Sequence, residues 1–427
     1  MKKQLPKELA SFPMLPRYGG ASLVEVPAMV LSHFGIGNGR PVLQNSSYLK
    51  HTTGAEKIIL FFADGLGYNH LVRARNAGNR LFELFRIFGS ISALTTIFPT
   101  TTAAGLTAVH SGLSPQEHGL PEWNVYFKEF DMVIQTIPFT PYHGKERDQL
   151  LAMGGTPEML YDGPTIYEEL RRVGVPSYVF ANKGYAESTF SRATFRGSSV
   201  VPFTRGFDLM VKLRVLVEAD SGPGYFFVYW DPIDIAEHEF GPESAEHYSE
   251  TNMFSTLIVE EFLRKCRMSR EAAAKVSLLL TADHGQIAVR PENIVYLDDL
   301  VPLGEYCVKG GNGAKIMPTG SARDTFLFVN PQRRMECVAH LRTVLDGVAE
   351  VLLTEDAIAC GLFGIGTPCQ RFLDRIGNVL ILPRGENLIW HREYRKDPTR
   401  LRGTHGGLSL EELLIPFCAA RLSDLLD

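Results

Sequence analysis

Short, continuously apolar runs recur along the chain, and most are followed by polar stretches with helical spacing. A strand with one face in water alternates apolar and polar residues, whereas a strand covered on both faces is apolar throughout. The pattern therefore predicts an α/β fold in which helices sandwich a mostly parallel sheet. The runs are "KIILFFADG" (57–65), "SISALTTIF" (90–98), "PSYVFA" (176–181), "GYFFVYW" (224–230), "KVSLLLTADHG" (275–285) and "ELLIPFCAARL" (412–422).

The alternation of strands and helices changes after about residue 286. A loop-rich stretch, "VKGGNGAKIMPTGSARD" (308–324), is followed by the strand-like segments "DTFLFVN" and "GNVLILPRG", with a helical segment between them. We predict an α/β core formed by residues 1–289 and 396–427, interrupted by a smaller α+β subdomain at residues 290–395.

The overall charge argues against a nucleic-acid polymer as the main partner. The 427 residues carry a formal net charge of −5, and no run of five basic residues forms a footprint for a phosphate backbone. The six cysteines have no C-x-x-C spacing, which favours scattered reduced thiols. The N-terminal stretch lacks the apolar segment of a signal peptide, and no apolar run approaches a membrane span. We therefore expect a cytoplasmic protein without a membrane partner. Nothing in the sequence indicates its oligomeric state.

Residues that bind metals in proteins stand just after the predicted strands. Ligands bind outside the carboxyl ends of strands in such sheets, so these positions matter most. Each also has an ordinary structural interpretation, as a helix cap, a turn, a side-chain pair or a glycine-flanked loop residue. Together they supply three carboxylates and three imidazoles, which suits two divalent cations; Zn²⁺ is the predicted metal, with Mn²⁺ or Fe as alternatives. The residues are Asp64, Asp234, His238, Asp283, His284 and His405.

The order of these elements resembles the alkaline phosphatase superfamily, and more closely its type I phosphodiesterase/nucleotide pyrophosphatase branch. That pattern has an Asp after the first core strand, then "P-T-x-T" leading to "T-G-x-x-P-x-x-H-G", then "P-D-x-x-G-H-x-x-G-P", "S-D-H-G" and a late "H-G". The matching segments here are "FADGLG", "FPTTTAAGLTAVHSGLSPQEHGL", "PIDIAEHEFGP", "TADHGQ" and "GTHGG".

The resemblance implies an alkaline-phosphatase-like core and a specific assignment of roles. It places Thr102 at the nucleophile position, beside one of two metal ions. It implies that one metal is held by Asp234, His238 and His405, and the other by Asp64, Asp283 and His284. A threonine hydroxyl is a weak nucleophile unless a metal or a base activates it. Thr102 also stands at the predicted start of a helix over residues 102–112, where helix termini favour a phosphate.

Several positions of this chain depart from the motifs of the family that it resembles. Glu237 replaces the glycine of "D-x-x-G-H", and Gly105 stands within the segment that follows the nucleophile. Asn124 lies one residue out of register with an asparagine that contacts the phosphoryl oxygen in the family, so we assign it either that role or that of a loop residue. His247 is an additional candidate ligand, whereas His70 has no partner at ligand spacing.

These observations predict a two-metal hydrolase that cleaves a phosphodiester or phosphoanhydride bond of a nucleotide-like small molecule through a phosphothreonine intermediate. A phosphomonoesterase or a phosphonate C–P hydrolase of the same superfamily is the first alternative. It requires positive charge near the phosphoryl group, for which Lys183, Lys309 and Lys315 are candidates. A non-catalytic metal-binding or partner-binding module is the alternative from another class.

Overall fold

The computed structural model describes residues 5–37, 39–219, 222–392 and 398–426. Its strands are numbered in chain order. They are β1 (Lys57–Ala63), β2 (Ser90–Thr95), β3 (Asn124–Phe127), β4 (Met132–Gln135), β5 (Thr140–Pro141), β6 (Ser177–Asn182), β7 (Ser199–Phe203), β8 (Gly224–Trp230), β9 (Val276–Thr281), β10 (Ile287–Ala288), β11 (Ile294–Tyr296), β12 (Thr319–Gly320), β13 (Thr325–Leu327), β14 (Ala349–Leu353), β15 (Val379–Pro383), β16 (Leu388–Trp390), β17 (Gly403–Thr404) and β18 (Leu414–Arg421).

Helices are numbered in the same way. They are α1 (Glu25–His33), α2 (Leu49–Thr52), α3 (Tyr68–Asn76), α4 (Arg80–Phe88), α5 (Thr102–Ser111), α6 (Pro115–His118), α7 (Pro157–Leu160), α8 (Ile166–Arg172), α9 (Thr189–Thr194), α10 (Gly206–Ala219), α11 (Pro232–Phe240), α12 (Ala245–Thr256), α13 (Arg270–Ala273), α14 (Leu297–Leu300), α15 (Leu303–Tyr306), α16 (Arg334–Val344), α17 (Thr354–Ala359), α18 (Gln370–Arg375), α19 (Leu410–Leu413) and α20 (Leu422–Leu425). A π-helix, Leu257–Leu263, continues α12.

The central sheet has seven strands in the order β2-β18-β9-β1-β8-β6-β7. β1 pairs in parallel with both β8 and β9, and β6 pairs in parallel with β7 and β8. β18 runs antiparallel to its two neighbours, β2 and β9. Every residue of β1, β8 and β9 is buried, as expected for strands covered by helices on both faces. The α/β prediction is confirmed.

The covering helices follow from local sequence. In α4, Leu81, Phe82 and Phe85 form the buried face, and their spacing is that of one helix side. The helix begins after Asn79, whose side chain accepts a hydrogen bond from the Phe82 amide, which satisfies one of the unpaired amides of the first turn. α5 ends one residue earlier than predicted, because Gly112 takes a left-handed conformation at φ 71°, which glycine adopts without steric cost.

Smaller sheets lie beside the central one. β12, β13, β15 and β14 form an antiparallel sheet that packs on α16 with a hydrophobic cluster of its own. β3, β4 and β5 form a second small sheet that the apolar runs did not predict. The extra sheets fit the predicted α+β subdomain in character. Its boundaries at 290 and 395 remain a prediction, and residues 395 and 396 lie outside the described residues.

The chain leaves the core and returns to it at one place. β10 follows β9, and β17 precedes β18, and the two pair antiparallel through Ile287 with Thr404 and Ala288 with Gly403. This two-residue ladder holds together the two ends of the excursion that contains the small four-stranded sheet. In the part of the chain that the structure describes, no helix is both long and apolar enough to cross a bilayer.

Candidate active site

The sheet topology brings the predicted site residues to one edge. Asp64, Asp234 and Asp283 follow the carboxyl ends of the adjacent strands β1, β8 and β9. Because β18 is antiparallel, its amino end lies at this same edge, and His405 precedes it. Thr102 follows β2, which pairs with β18 on its other side. Five separate segments thus converge here.

The first group of ligand atoms belongs to Asp64, Asp283 and His284. These atoms all lie within 4.8 Å of one another, and all three residues are buried. His284 Nε2 is 3.7 Å from a carboxylate oxygen of Asp64 and 3.5 Å from one of Asp283. The Gly65 amide donates to Asp283 Oδ1 at 3.2 Å, and the Tyr229 hydroxyl donates to Asp64 Oδ2. These bonds fix the carboxylates and leave their other oxygens, Asp64 Oδ1 and Asp283 Oδ2, without a hydrogen-bond partner among the described residues.

The second group joins Asp234 and His405 to the same histidine, His284, again within 4.8 Å. The rings of His284 and His405 stack with their centroids 3.7 Å apart. His238 lies beside this group, with its Nε2 3.6 Å from Asp234 Oδ2 and its ring centroid 5.1 Å from that of His405. Asp234 and His238 are one turn apart on α11, so both reach the site from one helix face.

Backbone carbonyls orient two of the imidazoles. His238 Nδ1 lies 2.9 Å from the Gly403 carbonyl oxygen, and His405 Nδ1 lies 2.9 Å from that of Thr100. A carbonyl only accepts a hydrogen bond, so each Nδ1 carries a proton and donates it, and each Nε2 keeps its lone pair. This is the arrangement by which proteins hold metal-binding histidines.

Electrostatics favours a cation at this position. Burial, followed by the charges of Asp283 and Asp234, raises the pKa of Asp64 well above its usual value. Burial also raises the pKa of Asp283 to about 6, while it lowers the pKa of His284 to about 4 and that of His405 to about 3. For Asp234, burial acts to raise the pKa, but the facing histidines hold it below its usual value. Divalent ions bind carboxylates and neutral imidazoles, so the donor set fits the metals that the sequence predicted.

Thr102 is the first residue of α5 and stands at the edge of both groups. Its Oγ1 is 3.2 Å from His284 Nε2. Thr101, in extended conformation, is the preceding N-cap, so Thr102 begins the helix as predicted. Amides at a helix start point toward this position and favour an anion there.

A glycine allows α5 to approach the site. A methyl group placed on Gly105 would lie 2.6 Å from Asp283 Cβ and 3.5 Å from its Cα. Contacts between side-chain carbons and Cβ atoms under 3.0 Å essentially never occur. The small residue noted in the sequence is thus required by the distance between the helix and the end of β9.

A cavity of about 550 Å³ opens onto the site. Thr102, Asp234, His238 and His405 line it. Its other walls come from the β3–β5 region and from the excursion between β10 and β17. They include three large aromatic side chains, one ammonium group and one carboxyl group, namely Trp123, Tyr142, Trp390, Lys145 and Glu122.

Lys145 is a cavity residue that no sequence motif indicates. It lines the cavity, whereas Lys315 lines a different one, and Lys183 and Lys309 line neither. Lys145 sits in a loop after β5, so only the fold of the small sheet reveals its position. No motif indicates the pair of buried carboxyls, Glu122 and Asp324, either; burial raises the pKa of Glu122 to about 7.

Asn124 lines the same cavity as Thr102. Its side-chain amide donates to the Gly320 carbonyl oxygen at 3.1 Å. That bond ties β3 to the small four-stranded sheet and orients the side chain. The contact with a phosphoryl oxygen remains a prediction.

A profile of the family described as "Type I phosphodiesterase / nucleotide pyrophosphatase" matches residues 58–408. The match spans every one of the predicted metal ligands and Thr102. In sequence, the chain is similar to mouse ectonucleotide pyrophosphatase/phosphodiesterase family member 3, with 22% identity over 289 residues. That similarity covers 66% of this chain and 31% of the mouse protein, so the chain matches about a third of the length of this relative.

Solved structures share the fold. Murine ectonucleotide pyrophosphatase/phosphodiesterase 5 is similar with a TM-score of 0.61 and 16% identity, over 87% of this chain and 93% of that chain. An inactive threonine-to-alanine variant of the same murine protein, in complex with AMP, gives a TM-score of 0.59 at 17% identity, over 87% and 92%. Phosphonoacetate hydrolase from Sinorhizobium meliloti, in complex with phosphonoformate, gives 0.58 at 17% identity, over 85% and 89%.

Proposed function

Because the chain belongs to the type I phosphodiesterase/nucleotide pyrophosphatase family, we propose that it is a two-metal hydrolase of a nucleotide-like small molecule, with Thr102 as nucleophile. Family membership indicates a hydrolase that acts on phosphodiesters or pyrophosphates. The observation that carries the finer proposal is the 3.2 Å distance between Thr102 Oγ1 and His284 Nε2. His284 belongs to both ligand groups, so the hydroxyl lies where the two groups meet.

The two ions would be held as the sequence predicted. Asp64, Asp283 and His284 would hold one, and Asp234, His238 and His405 the other. The unpartnered carboxylate oxygens of Asp64 and Asp283 support this, as do the histidines whose Nδ1 protons point to carbonyls. When bound, the ions supply Lewis-acid stabilisation of phosphoryl charge and lower the pKa of a hydroxyl or water. Zinc fits the mixed Asp/His set, and Mn²⁺ or Fe would be accepted by the same ligand types.

The protein's own groups then carry the reaction. Thr102 Oγ1 gives its proton to solvent and attacks phosphorus, the bond to the leaving oxygen breaks, and the leaving group takes up a proton from solvent. The start of α5 stabilises the phosphoryl oxygens through its amides. Water next hydrolyses the phosphothreonine and restores the hydroxyl. Asn124, which lines the same cavity, would contact a phosphoryl oxygen.

The cavity suits a substrate with an aromatic part. Trp123, Tyr142 and Trp390 offer flat surfaces for a ring, and aromatic stacking contributes affinity beyond area burial. The AMP bound to the neighbour of the same fold supports a nucleotide.

Lys145 favours a second candidate, a monoester or phosphonate substrate, because such substrates present more negative charge. The phosphonoacetate hydrolase neighbour supports the same candidate.

The test compares three substrates and three variants. Hydrolysis of bis-p-nitrophenyl phosphate, p-nitrophenyl phosphate and phenylphosphonate is measured for the wild type with and without EDTA. We expect the diester to be cleaved fastest and EDTA to abolish its cleavage. Thr102→Ala should lose about 10³-fold or more in kcat while keeping its metal content. Thr101→Ala, at the adjacent hydroxyl, is the matched control and should stay near wild type.

Two results would contradict the proposal. Diester turnover that survives EDTA and complete metal removal would exclude the metals from the chemistry. Wild-type-like turnover by Thr102→Ala would move the nucleophile elsewhere. Faster cleavage of the monoester or the phosphonate, lost in Lys145→Ala, would favour the second candidate.

A further inference from the structure

A further cluster of metal-ligating side chains shares helix α11 with the candidate active site. His70, Glu237 and His247 come from three helices, α3, α11 and α12. Their ligand atoms all lie within 4.8 Å of one another. His70 is 3% exposed, Glu237 0% and His247 1%, so the cluster is closed to solvent.

The atoms of this cluster converge without forming hydrogen bonds. His70 Nδ1 is 2.7 Å from Glu237 Oε1, and His247 Nε2 is 3.1 Å from the same oxygen. These distances would suit hydrogen bonds, yet the angles do not. His70 Nδ1, His247 Nε2 and both Glu237 oxygens have no hydrogen-bond partner among the described residues.

A buried polar group without a partner destabilises the folded state, and this cluster contains several. A hydrogen-bonded trio is the competing arrangement, but it would require each donor to point at an acceptor. A bound cation requires several ligand atoms close together, and here three lie within 4.8 Å of one another. On these grounds we infer that His70, Glu237 and His247 form a third, buried metal site that takes a divalent ion such as zinc.

The donor chemistry fits that ion. Two imidazoles and one carboxylate are a set that zinc accepts, with bonds of about 2.0–2.2 Å. Ligands of a tetrahedral ion with such bonds lie about 3.3 Å apart, so the present spacing requires only a small expansion. Thr251 stands one turn after His247 on α12, is buried, and has a hydroxyl without a partner among the described residues. It puts a further oxygen on the same side of the helix.

An ion at this site would stabilise the position of α11, the helix that carries two of the active-site ligands. Glu237 lies between Asp234 and His238 in sequence, on α11, and its side chain contacts His70 of α3 and His247 of α12. An ion held here would fasten α11 to both helices. The third site would therefore be structural, and its existence does not depend on the proposed reaction.

The experiment counts metal ions in the full-length protein. Wild type and variants are produced with zinc, desalted and analysed by inductively coupled plasma mass spectrometry. We expect three zinc ions per chain for the wild type and two for Glu237→Gln. The double variant Asp283→Asn/His405→Ala, which disables the active-site groups, should retain one ion. His110→Asn, at a buried histidine outside the cluster, is the control and should keep all three.

A stability measurement separates a metal site from a merely structural trio. In the Asp283→Asn/His405→Ala background, zinc should raise the Tm by several degrees through binding to the folded state alone. Adding Glu237→Gln should abolish that shift. If Glu237→Gln does not fold, the zinc count and the Tm shift of the Asp283→Asn/His405→Ala variant still test the third site.

The inference is overturned if the double variant retains no zinc and zinc does not shift its Tm. It is also overturned if Glu237→Gln folds and keeps the wild-type zinc count. Failure of the proposed function leaves a different signature, in which diester hydrolysis does not depend on metal while the buried ion is still counted.

Discussion

His284 links the two candidate metal groups, since its Nε2 lies near Asp64, Asp283 and Thr102. From the sequence it was assigned to one group only. The structure places it within reach of both, and its ring stacks on His405. A change at His284 should therefore disturb both metals and the nucleophile together, whereas a change at His238 should act on one side.

At the same residue scale, metal affinity should depend on pH through the carboxylates. The pKa of Asp283 is about 6, so this group is protonated at pH 5 and must release its proton when a metal binds. His284 and His405 have pKa values of about 4 and 3, so they are already neutral and release none. Zinc affinity should fall at least about tenfold for each pH unit below about 6.

Isothermal titration calorimetry between pH 7 and pH 5, in two buffers of different ionisation enthalpy, measures both the affinity and the released protons. Asp283→Asn should bind zinc more weakly and release about one proton fewer at pH 5. An affinity that stays constant over this range would contradict the assignment of Asp283 as a ligand.

At the scale of elements, the fit between α5 and the end of β9 sets the position of Thr102. By helix propensity alone, Gly105→Ala should stabilise α5 by about 0.5–1 kcal/mol. The added methyl would meet Asp283 at 2.6 Å, so we expect the opposite. The variant should lose about tenfold or more in zinc affinity and in kcat, because the helix or Asp283 must shift.

Equilibrium zinc titration and diester kinetics of Gly105→Ala check this expectation. Ser111→Ala, near the partly exposed end of the same helix, is the control and should change neither quantity markedly. Full activity of Gly105→Ala would show that α5 does not need this approach.

The elements also show what the sequence can predict. The ends of β1, β8 and β9 can be predicted because buried strands are continuous apolar runs. In a parallel sheet, the residues that follow such strands lie at the same edge of the sheet. The cavity walls could not be derived in this way. Lys145 and Trp390 come from short strands and loops whose mutual positions depend on tertiary packing. His70, Glu237 and His247 lie on separate helices, with no short spacing to connect them.

At the scale of the whole molecule, one buried ion pair joins the excursion to the core. Arg323 Nε and Nη2 donate to the two Glu412 oxygens at 3.0 and 2.8 Å, and both side chains are 1% exposed or less. Glu412 also accepts from the Gly407 amide at 2.9 Å. The pair therefore holds the loop that carries His405.

Removing one partner leaves the other charge buried and unpaired, which costs about 3–5 kcal/mol. Arg323→Met should lower the free energy of unfolding by that amount and weaken zinc binding through His405. Urea unfolding followed by fluorescence, together with zinc titration, measures both effects. Arg86→Met, at an exposed pair with Glu83, is the matched control and should change little. A wild-type unfolding midpoint for Arg323→Met would show that the pair contributes nothing to stability.

The ladder between β10 and β17 has a consequence for protein engineering. The chain leaves the core after β10 and returns to it at β17, so both ends of the excursion lie side by side at one junction. There Ile287 pairs with Thr404 and Ala288 with Gly403. Such paired positions bring Cα atoms to about 4.5–5.5 Å, so the junction is a natural site for grafting. A segment of another length can replace the excursion there without rethreading the central sheet, provided that it supplies a partner for Glu412 and an apolar surface for Phe98, Leu408 and Leu413, which pack in one cluster with side chains of the excursion. The part of the cavity that contains Trp390 would then be exchanged, while the metal ligands and Thr102 keep their places.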